Sequence, residues 1–228
     1  MGNIENDIII NLQSVFSTDF SRAMAVFLAR DLGTIIIVVT LLLLIRNIIR
    51  DFFATNFMGI SIFSFDIKKF FFSLFGKKDI NQILKEEGES LSSNLKKLRR
   101  DIEATYSIIF VSLFAWTSSL ILKISFLRER PFVQNQNIEP IIDKIGSGSF
   151  PSGHAVFFFA MAFMMSKFYP KYSRFYFVLA ILISLFRVVS GVHFVSDVVI
   201  GSIWGILIAK YTYHFIDKIF IAKRANKE

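Results

Sequence analysis

The feature that most limits this chain is a series of long stretches without charge. No residue between Leu32 and Ile45 is charged, and Ile108 to Leu122, Ala155 to Ser166, Phe175 to Phe186 and Val198 to Ala209 repeat the pattern. Extended by their flanks, these blocks reach roughly the 17 to 25 residues that a helix needs to cross hydrocarbon. The composition agrees, because 228 residues that are 54% hydrophobic with 28 Phe exceed what a soluble domain carries. The expected fold is all-α, a polytopic membrane helical bundle with five to six transmembrane helices.

A net charge of +8 could point to nucleic acid, but the basic residues lie mostly between the apolar blocks and at the C-terminus. That placement suits spans oriented by positive loops and predicts no nucleic-acid partner. No cysteine is present, which removes thiolate chemistry and Cys-ligated metals. The start, Met1 to Asp7, is acidic where a signal peptide would be basic.

Residues 8 to about 29 carry apolar side chains at helical spacing, including Ile8, Leu12, Val15, Phe16, Met24, Phe27 and Leu28. The reading is an amphipathic N-terminal helix over 1–31. The first span, with an interfacial and charged cytoplasmic segment, follows over 32–104. A core over 105–217 and a basic cytoplasmic tail over 218–228 complete the chain. Residues 52–76 carry Asp66, Lys68 and Lys69 at their centre, where mid-bilayer charge costs several kcal/mol, so they are expected to be interfacial or buried. If they cross, the N-terminus changes side. Placing the segment up to Arg100, the turn Lys167 to Arg174 and the tail with Lys218, Lys223, Arg224 and Lys227 in the cytoplasm makes the spans alternate. The second to fifth spans then share an outer face.

Three polar clusters fall on that face: Lys123 with Arg130-Pro131, then Pro151-Ser152-Gly153-His154, then Arg187 with His193 and Asp197. Lys123 and Arg187 lie in or beside apolar blocks, where ionisable groups are functional candidates. The alternative for each is that it snorkels to the headgroups. A phosphoryl group in transfer spreads negative charge over its oxygens, so it needs fixed cations and N–H donors. Lys123, Arg130 and Arg187 supply the first. Ser152 and Gly153, at a helix start, supply the second. His193 and Asp197 are four apart and share a helix face if the last helix begins near His193. Asp197 accepting the Nδ1 proton leaves Nε2 of His193 free to attack phosphorus, and His154 is the available acid and base. His214, outside every cluster, reads as an interfacial side chain. Gly146-Ser147-Gly148-Ser149 reads as a flexible loop. With no H-E-x-x-H, carboxylate cluster or Walker lysine, no metal and no cofactor are expected.

These residues resemble the type 2 phosphatidic acid phosphatase superfamily, whose motifs are K-x6-R-P, P-S-G-H and S-R-x5-H-x3-D. The resemblance covers about residues 105–215. It implies an all-helical membrane fold and a metal-free mechanism with His193 as nucleophile, Asp197 as its orienter and His154 as acid and base. Lys123, Arg130, Ser152, Gly153 and Arg187 would be phosphate ligands, with Pro131 and Pro151 as supporting motif positions. Phe186 stands where the family usually has Ser. The stretches Arg130 to Val133, Glu139-Pro140 and Ser149 to Pro151 are most similar to bacterial undecaprenyl-diphosphatases. That implies a polyprenyl diphosphate substrate, a role in cell-wall biogenesis, and a site on the outer face of the inner membrane. Phosphatidylglycerophosphate, phosphatidic acid and lipid A are alternative substrates. A lipid phosphotransferase and a non-catalytic lipid-binding protein are alternative classes. The expected partners are the lipid substrate and membrane lipids, with no obligate protein partner. Arg128, two before Arg130, could reach a second phosphate, or else pair with Glu129 at the rim or face solvent.

Overall fold

The computed structural model describes residues 2–75, 80–142 and 148–225, with side chains over 4–54, 88–142 and 148–218. Every regular element among the described residues is helical. Four helical stretches, Asp19–Ala54, Gly88–Gln134, Pro170–Val189 and Val195–Lys218, are long and apolar enough to cross a bilayer, and Gly153–Phe168 is a shorter apolar helix. The chain is an all-α, multi-pass membrane protein, as the uncharged blocks predict.

The N-terminal stretch differs from the single helix expected. Helix α1 (Gly2–Val15) stops, and α2 (Asp19–Val26) begins afresh. The cause is local. Thr18 Oγ1 accepts the Ser21 N–H at 3.2 Å, and Ser21 Oγ accepts the Thr18 N–H at 3.1 Å. This reciprocal cap satisfies two backbone donors and so fixes a helix start against the apolar periodicity. A π-helical turn, Phe27–Asp31, then leads into α3 (Leu32–Phe75).

At 44 and 47 residues, α3 and α4 (Ile80–Phe126) each extend about 65 to 70 Å at 1.5 Å per residue, more than twice the hydrocarbon thickness. The side chains of 55–75 and 80–87, the loop residues Gly146 and Ser147, and the tail residues Lys223, Arg224 and Lys227 lie outside the described residues. The expectations for the 52–76 segment, the Gly-Ser loop and the tail therefore fall on them in part.

Contacts divide the chain into residues 38–106 and a second unit of 1–37 with 107–228. In the first, buried Asp51 accepts from Arg50 at 2.8 Å and lies 3.6 Å from Lys97, and Arg50 also reaches Asp101 at 3.7 Å. The second unit holds every motif residue. It contains the short α5 (Pro131–Gln134), α6 (Gly153–Phe168), α7 (Ser173–Val189) and α8 (Val195–Ala225). Pro131 opens α5 and Pro170 opens the 3-10 turn before α7, at first positions where the missing N–H costs nothing.

Helix α6 is apolar all round, with Ala155, Val156, Phe158, Ala160, Met161, Ala162, Met164 and Met165 buried, as a central helix should be. It packs chiefly on α8 and α7. The approach to α8 is close because of a Gly-x-x-x-Gly pair that the motif reading passed over. A Cβ at Gly201 would stand 3.0 Å from the Ser152 carbonyl oxygen, and one at Gly205 would collide with the Val156 carbonyl. Small residues at this spacing let two backbones meet without lipid between them. Gly205→Ala should therefore cost about 2 kcal/mol or more by forcing α6 and α8 apart. By contrast, Gly88→Ala, whose Cβ meets nothing within 4 Å, should be neutral or stabilising. Thermal unfolding of both variants in detergent checks this, and equal effects would contradict it.

Candidate active site

Four helix ends meet where the three clusters lie: the C-termini of α4 and α7 and the N-termini of α6 and α8. The Ser152 N–H donates to the Asp197 carbonyl at 3.0 Å, which ties the start of α6 to the first turn of α8. The clusters predicted to share a face thus share one end of this unit.

Lys123, in the last turn of α4, is buried and donates to the carbonyls of Gly148 at 3.1 Å and Ser149 at 3.3 Å. Arg130, the residue before α5, is buried and donates to the Val192 carbonyl at 2.8 Å and the Gly148 carbonyl at 3.4 Å. Arg187, in the last turn of α7, is 2% exposed and donates to the Ala29 carbonyl of the π-helical turn at 2.9 Å. Neither Lys123 nor Arg187 snorkels outward. All three donate to backbone carbonyls, which fixes the position of each cation.

The loop that carries His193 depends on Gly191. Its φ of +71° is the left-handed region that glycine enters without strain, and a Cβ there would stand 2.8 Å from Ile138 Cγ2. His193 is buried, with Nδ1 3.6 Å from Asp197 Oδ2. That oxygen also accepts the Phe194 N–H at 2.9 Å, so Asp197 closes back on the start of its own helix. The other carboxylate oxygen accepts from Arg128 at 2.8 Å. Arg128 therefore departs from the expected pairing with Glu129.

Ser152 precedes α6 without capping it, and its Oγ, the Arg187 Nε and the His193 Nδ1 are buried with no hydrogen-bond partner among the described residues. Buried polar atoms are rarely left so, which suits Ser152 Oγ and Arg187 Nε to a polar ligand, while His193 Nδ1 faces Asp197. His154, in the first turn of α6, is half-buried. It lines an apolar cavity of about 260 Å³ with Arg30, Ile37, Leu113, Trp116 and Phe158. His214 lies far along α8 from this end, and nothing joins it to the site. Phe186, in the place of the usual Ser, packs edge-on against Phe16 at 5.4 Å, so the ring anchors the N-terminal segment where a hydroxyl would not. Glu5, Arg128 and Ser196 are the contributors that spacing does not reveal. Only Arg128 carried a signal, its position two before Arg130.

Burial pushes the His193 pKa well below its usual 6.5, and the charges of Arg187, Lys123 and Arg130 push the same way, against a smaller pull from the Ser149 carbonyl. The imidazole is neutral at physiological pH. A depressed histidine pKa means the unfolded chain takes up a proton first, so stability falls as pH drops below about 6.5. Melting temperatures should decline from about pH 6.5 toward 5 more steeply in the wild type than in His193→Gln. Identical pH slopes would contradict the assignment.

Residues 103–221 match the PAP2 superfamily. A curated relative, the bacitracin transport permease protein BcrC of Bacillus licheniformis, is 32% identical over 90 residues, which cover 40% of this chain. The aligned part spans 44% of that relative's length. Among solved structures, LpxE of Aquifex aeolicus aligns with TM-score 0.46 and 22% identity, covering 73% of this chain and 86% of that one. The PAP2-type phosphatidylglycerolphosphate phosphatase of Bacillus subtilis aligns with TM-score 0.39 and 19% identity over 96% of both chains.

Proposed function

This chain belongs to the PAP2 superfamily, and from that membership we propose that it is a membrane lipid phosphatase acting through a phosphohistidine. The observation that carries the proposal is the neutral, buried His193 among Lys123, Arg130 and Arg187, beside an apolar cavity that His154 lines. A lipid phosphate has the matching form, a dianionic head on an apolar chain.

In the proposed reaction, His193 Nε2 attacks the terminal phosphorus, and the bond from phosphorus to the lipid-side oxygen breaks. The three cations and the N–H groups at the start of α6 take the charge of the equatorial oxygens. Asp197 holds Nδ1–H and offsets the positive charge forming on the imidazole. Protonated His154 gives its proton to the leaving oxygen. Neutral His154 then takes a proton from water, which attacks the phosphohistidine and releases inorganic phosphate with His193 restored. A divalent cation would be repelled by the charges already fixed there, so the reaction is proposed to be metal-independent.

The finer substrate proposal is undecaprenyl diphosphate, cleaved to the monophosphate. It rests on the Arg130 to Val133, Glu139-Pro140 and Ser149 to Pro151 stretches and on the apolar cavity. The site is proposed to face outward from the inner membrane, because Lys167, Lys171 and Arg174 lie at the opposite ends of α6 and α7 from His154 and Arg187.

Phosphate release from a panel of isoprenyl diphosphates, phosphatidylglycerophosphate, phosphatidic acid and lipid A tests the substrate. The expected order has the polyprenyl diphosphate first in kcat/KM. A glycerolipid phosphate more than about tenfold better would overturn the finer proposal. Transfer of label to a lipid acceptor would show a phosphotransferase instead. Asp197→Asn should reduce kcat by about 10³-fold or more while the fold persists.

A further inference from the structure

Arg128 and Glu5 form a half-buried network that the proposed reaction does not use. Arg128 donates through one terminal nitrogen to Asp197 Oδ1 at 2.8 Å and to Ser196 Oγ at 2.7 Å, and through the other to Glu5 Oε2 at 2.9 Å. Its guanidinium lies 4.0 Å from the centroid of the buried Phe194 ring. The remaining Glu5 oxygen accepts the Ser196 N–H at 2.8 Å. Ser196 is the second residue of α8, whose first N–H groups have no partner within the helix. A carboxylate at that end also meets the positive pole of the helix dipole. Glu5 therefore caps α8 from α1, across 191 positions of sequence.

The backbone supports the same arrangement. Leu127, which follows α4, has φ +44°, a left-handed conformation that costs a leucine about 1 kcal/mol or more. The next residue, Arg128, is then locked by its carbonyl, which accepts the Ser149 N–H at 2.7 Å. Helix α1 is held against this end by Ile9, fully buried with Ile138, Val188 and Phe194. Burial pushes the Glu5 carboxyl up, but its bonds from Ser196 and Arg128 outweigh this and hold it below the usual carboxylate range.

We infer that Arg128 and Glu5 are positioning residues of the site: Arg128 clamps one oxygen of Asp197 so that the other faces His193, and Glu5 shares the Arg128 charge while capping the helix that carries Asp197. Each carboxylate oxygen of Asp197 then has its own task, Oδ1 on Arg128 and Oδ2 between the Phe194 N–H and His193. Without Glu5, the whole Arg128 charge would act on Asp197 and weaken its hold on the imidazole proton. The N-terminal helix would thus be part of the catalytic end rather than a peripheral anchor. The inference rests on the proposed role of Asp197 as orienter of His193.

The test uses the full chain in detergent with a polyprenyl diphosphate and orthovanadate, a stable stand-in for the phosphoryl group. Variants are Glu5→Gln, Arg128→Lys, their double and Asp197→Asn as reference. Each single substitution should lower kcat about 10- to 100-fold, with KM and vanadate affinity within about threefold, since neither residue touches substrate. The double should be within about twofold of the worse single, because the two act as one unit. Glu5→Gln within twofold of wild-type kcat would overturn the inference. So would a loss of activity matched by an equal loss of vanadate-binding sites, which would mean that Glu5 only holds the fold. Arg128→Lys that raises KM and weakens vanadate about tenfold at unchanged kcat would make Arg128 a phosphate ligand instead. Full turnover by Asp197→Asn would refute the orienting role itself, separately from these outcomes.

Discussion

The structure of the site is governed by three buried cations gathered at one end of the helices, Lys123, Arg130 and Arg187, with Asp197 close enough to act on Arg130. Lys123, Arg130 and Arg187 are all buried, and they donate to the carbonyls of Gly148, Ser149, Val192 and Ala29. Burying a charge is costly unless dipoles or a counter-ion compensate it. The carbonyl dipoles contribute to that compensation and hold each cation in place. A phosphoryl dianion would be drawn to the same three cations, so binding and the proposed chemistry would use one set of charges.

Much of the architecture serves those carbonyls. The π-helical turn before α3 presents Ala29 to Arg187, and Gly191 turns the chain so that Val192 meets Arg130. The glycine-mediated approach of α8 to α6 brings Ser152 onto Asp197. Phe16 against Phe186 fixes the N-terminal segment, which in turn supplies Ala29 and Glu5. The site is therefore a property of helix ends and their connections, while the helix bodies set the distance between them.

The sequence revealed the spans because apolar length is a local quantity, and it revealed the cations and imidazoles because they interrupt apolar blocks. Spacing by four put Asp197 near His193, but His193 lies in the loop before α8, so the approach comes from the Gly191 turn and the Phe194 N–H on Asp197 rather than from a shared helix face. What stayed hidden depends on contacts across the chain. Glu5 registered only as part of an acidic start, yet it caps a helix 191 positions away. Arg128 had an equally plausible neighbour in Glu129, and only the fold decides for Asp197. The break at Thr18 was readable in principle, from Thr and Ser at cap and third positions, but the apolar periodicity running through it masked the signal. Gly201 and Gly205 show their purpose only once the Val156 backbone is beside them.

In the proposed reaction the surrounding cations serve phosphoryl transfer onto the His193 imidazole. Rapid quenching of turnover into base, followed by mass-spectrometric mapping of the digested chain, tests it most directly. The account predicts a base-stable, acid-labile phosphate on His193 alone, formed within the first turnover. Phosphate on another residue, or hydrolysis at full rate with no phosphorylated peptide under conditions that preserve phosphohistidine, would contradict it.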